Sequence, residues 1–352
     1  MFFPKLKFLI VLLLFINACN TQRVEFSSNE KKISGEKVNI GFIIGSPFEI
    51  NILDSLLFFY DRFEGQTITV FDLKNERFVR RFLNEGRGPG EVTSSLTIFV
   101  YPNEKRVCFY QPNIGIAYIF EPSDIITEYN PMPRHIIYIN KDHIKPDKIK
   151  KIKDGYIGIG SFDVERYHLY DSLGNMISAF GKYPFSGEEM ENGIMRYLMY
   201  QGFFCASADG NYFAMGSSNC DNLEFYRLKN GTAELIKKYE TYDVKAKINK
   251  QGNSQFIHIE DDCVMSYKYA YGGRYCYMLY SGKTYLENGR YRFGGKRIIV
   301  FDWDGNYLKS YQLDDEINSF CVDEENSFIY ATMHDDNDEN GGGLVIKKFF
   351  MQ

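Results

Sequence analysis

The 352 residues suffice for one large domain or two ordinary ones, with a sizeable core in either case. Its 27 tyrosines, 30 phenylalanines and 30 glycines favour strands joined by tight turns over helices. A formal net charge of -5, with both signs interspersed, excludes a nucleic-acid groove, which needs a basic surface to displace counterions from phosphates.

The first element is an export signal. Lys5 and Lys7 precede the apolar run Phe8 to Ile16, too short to span a bilayer, and the small residue Ala18 and Cys19 follow. Ile16-Asn17-Ala18-Cys19 resembles the bacterial lipobox, in which cysteine becomes the acylated first residue of the mature protein. Each buried methylene of such an anchor contributes about 0.8 kcal/mol, so several chains hold a protein on a membrane. The alternative is an ordinary cleaved signal in which Cys19 is incidental. Residues 19–37 are polar-rich without periodicity and read as a flexible tether. The expected organisation is therefore a signal peptide over 1–18, a lipidated cysteine and tether over 19–37, and a folded unit over 38–352.

Five later segments alternate as strand, polar turn, strand: Thr69 to Leu83, Ala117 to Tyr129, His168 to Phe180, Leu223 to Tyr239 and Arg297 to Leu313. Most follow a second alternating pair, as in "LTIFVYPNEKRVCFYQ", "GFFCASADGNYFAMGSS" and "INSFCVDEENSFIYATM". Two hairpins per repeat of roughly 50 residues make a four-stranded antiparallel blade, so the expected fold is an all-β, six-bladed β-propeller. Tyr269 to Lys296 accounts in this reading for one over-long interval. The final strand, Leu344 to Phe350, has no outer partner, and Val38 to Phe42 is an orphan strand near the other end. Pairing them closes the last blade with the N-terminal strand and removes an open edge.

With the lipobox, the repeats, the run Gly86, Gly88, Pro89, Gly90, Glu91 and the Asp302 to Asn306 turn in place, the chain resembles the six-bladed β-propeller lipoproteins of Bacteroidetes, a TolB-like family. The resemblance covers about Asn39 to the C-terminus. It implies a cell-envelope protein, attached to the outer membrane through Cys19, and supplies no catalytic residues.

The chemistry-bearing motifs are sparse. "GRGPG" at 86–90 fails as a phosphate cradle because Pro89 lacks an N–H and strand-like sequence follows. The five histidines show no HExxH and no close pair, and GxSxG is absent. Asp336, Asp338 and Asn340 copy the first half of a calcium loop, but Lys347 stands where the closing glutamate belongs, leaving a weak metal candidate. No cofactor is expected. The cysteines at 108, 205, 220, 263, 276 and 321 are scattered and read as buried strand residues, with Cys205 and Cys220 the pair to check for a bridge.

The loop at 86–91 has two readings. In one its glycines and Pro89 shape a turn, with Arg87 and Glu91 paired across it. In the other these charges line the channel mouth with Arg134, His135, Lys182, Tyr183, Glu188 and Arg196, since a concave mouth with convergent polar groups is the default binding site. The functional expectation is a lipid-anchored envelope module that binds a ligand or protein partner, linked to glycan capture. The alternative is a hydrolase or lyase acting on a carbohydrate or lactone at the channel.

Overall fold

The computed structural model describes Phe26 and residues 28–351, apart from 46, 89–90, 94, 142, 185–189, 191, 253, 290–293, 326 and 335–342. The signal segment, Cys19, Glu188 and the weak metal candidates Asp336, Asp338 and Asn340 lie outside the described residues. Among those described, no helix is long and apolar enough to cross a membrane.

Two short strands, β1 (Glu30–Ile33) and β2 (Gly35–Lys37), open the chain. Six four-stranded antiparallel units follow. Blade 1 holds β3 (Pro47–Leu53), β4 (Leu56–Phe63), β5 (Gln66–Asp72) and β6 (Arg77–Asn84). Blade 2 holds β7 (Thr97–Tyr101), β8 (Arg106–Gln111), β9 (Ile116–Phe120) and β10 (His135–Tyr138), with helix α1 (Pro122–Thr127) before the last. Blade 3 is β11 (Lys148–Ile152), β12 (Gly155–Ile159), β13 (Tyr167–Asp171) and β14 (Met176–Phe180). Helix α2 (Gly193–Tyr200) leads to blade 4, made of β15 (Gly202–Ala206), β16 (Tyr212–Ser217), β17 (Asn222–Lys229) and β18 (Thr232–Glu240). A separate hairpin, β19 (Ala246–Gln251) and β20 (Ser254–Ile259), precedes blade 5. That blade has β21 (Tyr267–Gly272), β22 (Cys276–Tyr280), helix α3 (Tyr285–Asn288), β23 (Gly295–Phe301) and β24 (Tyr307–Ile317). Blade 6 takes β25 (Ser319–Asp323), β26 (Phe328–His334) and β27 (Leu344–Phe350), and β2 is its fourth, outermost strand.

The expected closure is present, shifted toward the N-terminus. Gly35, Glu36 and Lys37 pair with Phe349, Lys348 and Lys347, and Val38 N–H still donates to Ile346 O at 2.9 Å. Beyond Val38 the chain must leave the sheet edge for the channel, so Ile40 and Phe42 pack between blades 6 and 1 instead of forming a strand. The tether expectation over 19–37 is corrected for its second half. β1 adds in parallel to β24, Glu30 beside Ser310 and Ile33 beside Leu313, and the Phe26 ring lies 5.3 to 5.6 Å from those of Tyr239, Phe301 and Tyr307. Polarity concealed these strands, because each contributes little core and pairs through its backbone.

Two further expectations change. Ile125 to Tyr129 is not a strand: Pro122 stands at the start of α1, where its missing N–H costs nothing, and His135–Tyr138 pairs with β9. The over-long interval contains the β19–β20 hairpin, whereas Tyr269 to Tyr280 holds the inner hairpin of blade 5.

The repeat has a local cause. In three of the outer hairpin turns an aspartate accepts hydrogen bonds from an asparagine three or four residues on: Asn75 Nδ2 to Asp72 at 2.6 Å, Asn175 Nδ2 to Asp171 at 3.0 Å and Asn306 Nδ2 to Asp302 at 3.0 Å. The core lies between blades. Phe82 meets Phe109 and Phe120 edge-on at 5.6 and 5.5 Å between blades 1 and 2, and Tyr167 meets Phe213 at 5.2 Å between blades 3 and 4. Beside the latter, buried Arg166 donates to Asn222 Oδ1 (2.9 Å), Tyr200 O (3.0 Å) and Ser217 Oγ (2.6 Å), and pairs with buried Glu224 at 3.4 Å. The ion pair and the bonds to Asn222 and Ser217 tie blade 3 to blade 4, and the bond to Tyr200 O ties both to α2.

Two outcomes follow from this arrangement. A chain starting at Val38 exposes the β27 edge, so it should melt at lower temperature than the chain starting at Phe26 and self-associate on size-exclusion chromatography. Arg166→Met leaves the Glu224 carboxylate buried without its cation, and denaturant unfolding should show a loss of about 3–5 kcal/mol.

Candidate functional site

In each blade the first strand borders the central channel, and its inner edge has unpaired backbone groups that need partners. The turns after these first strands lie on one face, here the turn face. The blade-to-blade crossings lie on the opposite, crossing face.

An open cavity of about 220 Å³ occupies the turn-face mouth, with walls from the inner strands of blades 1 to 5. Its cationic side is one strand, β11, and its turn: Lys150, Lys151 and Lys153 all line it. Lys150 reaches Ile98 O at 3.4 Å, and Asn51 Nδ2 donates to the same oxygen at 3.1 Å. Lys151 donates to Ile152 O at 2.6 Å and stands 6.0 Å from the Tyr101 ring. Burial holds its pKa below the usual lysine value. Lys153 is exposed, and its N–H anchors the turn to Gly210 O at 3.0 Å. An ammonium has three donors, so these lysines retain capacity for a ligand.

The acidic groups of the wall are engaged in the protein itself. Partial desolvation of the exposed Asp209 opposes ionisation, yet hydrogen bonds from Ser207 Oγ (2.5 Å), Asn211 N (3.0 Å) and Asn211 Nδ2 (2.7 Å) keep its pKa low. Glu104 accepts from Arg106 at 3.1 Å. Phe99, Tyr101, Tyr269 and Tyr271 supply aromatic lining.

Deeper in the channel, Glu49 accepts from Ile98 N–H, and burial raises its pKa against the opposing pull of Lys150 and Lys148. Lys148 donates to Gly202 O at 3.2 Å and lies 3.8 Å from the Phe203 ring. Burial pushes its pKa down to about 8, with Glu49 opposing. Among the described residues, no three His, Cys, Asp or Glu side chains converge closely enough to hold a metal ion.

The residues expected at a channel mouth are dispersed. Arg87 is exposed on the crossing face, and Glu91 is not its partner: Glu91 Oε2 accepts from Gly88 N–H at 2.7 Å. A Cβ on Gly86 would stand 2.0 Å from that oxygen, while Gly86 N–H reaches Val92 O at 3.0 Å. The loop is therefore a turn built around the Glu91 carboxylate. Arg134 and His135 belong to the outer rim of blade 2, where Arg134 forms a two-point pair with Asp124 at 2.6 and 2.8 Å. Lys182 is exposed on the crossing face. Tyr183 is buried beneath α2, and Arg196 is a buried residue of that helix lying 5.5 Å from the Tyr183 ring. Among the described residues of this set, Arg87, Glu91, Lys182, Tyr183 and Arg196 share a face, and it is opposite the cavity. The sequence signal that does mark the cavity is "KIKKIK", Lys148 to Lys153, a basic inner strand in a net acidic chain.

Comparisons place this geometry among known proteins. The family model described as TolB-like 6-blade propeller-like matches residues 25–325. A Bacteroides fragilis protein described as exported superposes with TM-score 0.53 at 14% identity, covering 91% of this chain and 95% of that one. A duf4221-family member from Bacteroides vulgatus gives 0.51 at 11% identity over 91% and 96% of the two chains. Regucalcin, a calcium-binding protein from Agrobacterium tumefaciens, gives 0.50 at 11% identity over 92% and 97%. The comparison with curated proteins gave no match.

The Lys148 environment sets a pH signature. The folded state releases this proton near pH 8, the unfolded state near about 10.4, so between these values the unfolded chain binds more protons and stability rises with pH. Urea unfolding from pH 7 to 10.5 should show wild type gaining stability relative to Lys148→Met across that window.

Proposed function

The chain belongs to the TolB-like six-blade propeller family, and on that premise we propose that it is a cell-envelope binding module that captures an acidic glycan at the turn-face mouth of its channel. The observation that carries this reading is the 220 Å³ cavity in which Lys150, Lys151 and Lys153 line one wall while its carboxylates are already engaged. Ammonium groups attract carboxylate or sulfate substituents, and their charge-assisted hydrogen bonds are stronger than neutral ones. The half-buried Tyr271 ring in the same wall suits the apolar face of a sugar ring.

The export signal and lipobox support an address at a membrane, outer-membrane attachment through Cys19 being the reading we adopt. Because Phe26 is docked on blades 4 and 5, Cys19 lies seven residues from the folded unit, a distance the chain spans with at most about 25 Å. The propeller then stays close to the lipid surface, where passing polysaccharide can be held.

Isothermal titration of the chain from Thr21 onward against oligogalacturonides and neutral oligosaccharides of matched length tests the reading. Acidic oligomers should bind and weaken with added salt, and Lys150→Ala with Lys153→Ala should lower affinity about tenfold or more. Binding of neutral sugars alone would remove the acidic specificity. No heat from any sugar would overturn glycan capture in favour of an envelope protein partner.

A further inference from the structure

Cys205 lies on β15, the inner strand of blade 4, and Cys276 begins β22 of blade 5. Their sulfurs are 3.7 Å apart, and both residues are buried in the core shared by these blades. Cys220, which the sequence singles out as the partner to check, packs instead under α2 with Tyr183, Tyr200 and Cys263.

The approach is built into the backbone. A Cβ on Gly272 would stand 2.0 Å from Ala206 O, so only glycine lets β21 lie this close to β15. Gly272 also pairs with Cys276 across the β21–β22 hairpin, which delivers that thiol to the seam. Ala208 N–H to Gly273 O at 3.2 Å fastens the same corner. A disulfide needs an S–S separation of about 2.05 Å, a closing of about 1.6 Å from the thiol positions.

We infer that Cys205 and Cys276 form a disulfide when the protein folds in an oxidising compartment, stapling blade 4 to blade 5 along the wall of the cavity. The step is thiol–disulfide exchange with a disulfide-bearing oxidant, either a disulfide oxidoreductase or oxidised glutathione. One thiolate attacks the oxidant's disulfide and displaces one of its sulfurs as a thiolate. The second thiolate then displaces the oxidant's remaining sulfur, so the two protein thiols lose two protons and two electrons and the oxidant is reduced to two thiols. Burial raises the Cys276 thiol pKa, so exchange belongs to the stage before the seam is dry. The bond spans 71 residues and rigidifies the cavity wall formed by Cys205, Ala206 and Ala270 to Gly272.

The test uses the full chain exported to a bacterial envelope, alkylated in denaturant without reductant and mapped by peptide mass spectrometry. A Cys205–Cys276 crosslinked peptide, absent after reduction and from Cys205→Ala and Cys276→Ala, is expected. Reductant should lower the melting temperature of wild type by roughly 5 °C and leave Cys276→Ala unmoved. Alkylation of both thiols in the exported wild type, or a crosslink joining either to another cysteine, would overturn the inference. Because the mapping uses the unsubstituted chain, it decides the pairing even where a variant fails to fold.

Discussion

The ring depends on one short backbone pairing, that of Gly35–Lys37 with Lys347–Phe349. A propeller without it is an open stack of blades whose last sheet presents a bare edge. Closure joins residues far apart in sequence, so its entropic cost must be met by packing at the seam. Gly35 shows how: a Cβ there would fall 2.6 Å from the Phe349 ring, and its absence lets the strand lie on that aromatic face. β1 continues the same segment onto blade 5, and Phe26 inserts among the rings of Tyr239, Phe301 and Tyr307. One N-terminal segment therefore binds three blades, and the last and first blades are held in register by the chain that joins them.

Closure also creates the chemistry of the centre. Six inner strands brought around an axis turn their unpaired edges toward each other, and those edges need donors and acceptors. On the side of blades 1 to 3 the Ile98 peptide receives them: Glu49 accepts its N–H, and Asn51 and Lys150 donate to its carbonyl. Lys148 serves Gly202 O in the same way. These side chains hold the channel together, and because a lysine has more donors than one carbonyl uses, they also leave positive charge facing the cavity. Backbone satisfaction and the cationic lining of the cavity are thus two consequences of the same strand.

The crossing-face loop at 86–91 illustrates the opposite case. Its glycines and charges look like a site, yet Gly86 makes room for the Glu91 carboxylate and Gly88 donates to it, so the polar groups satisfy one another. Tyr183 and Arg196 likewise belong to a buried cap, because α2, which carries Arg196, folds over the crossing that holds Tyr183. Their residue types suggested exposure, and only the path of the backbone removed it. Lys148 and Lys150 carried the better signal, since lysine is out of place on a strand beside a core unless a channel or a partner receives it.

By itself the sequence determined the blade: alternation, turn aspartates with their asparagines, the repeat length and the unpaired strand that demanded closure are all local or countable. It also contained an N-terminal run patterned like an export signal and the basic run of β11. Tertiary structure alone decided which of those residues meet. The register of β2 on β27, the retreat of Arg134 to an outer rim, the convergence of five inner strands on one cavity and the 3.7 Å approach of Cys205 to Cys276 all depend on the angle between blades. That angle is set by packing summed over every seam of the closed ring, a long-range quantity that no local pattern encodes.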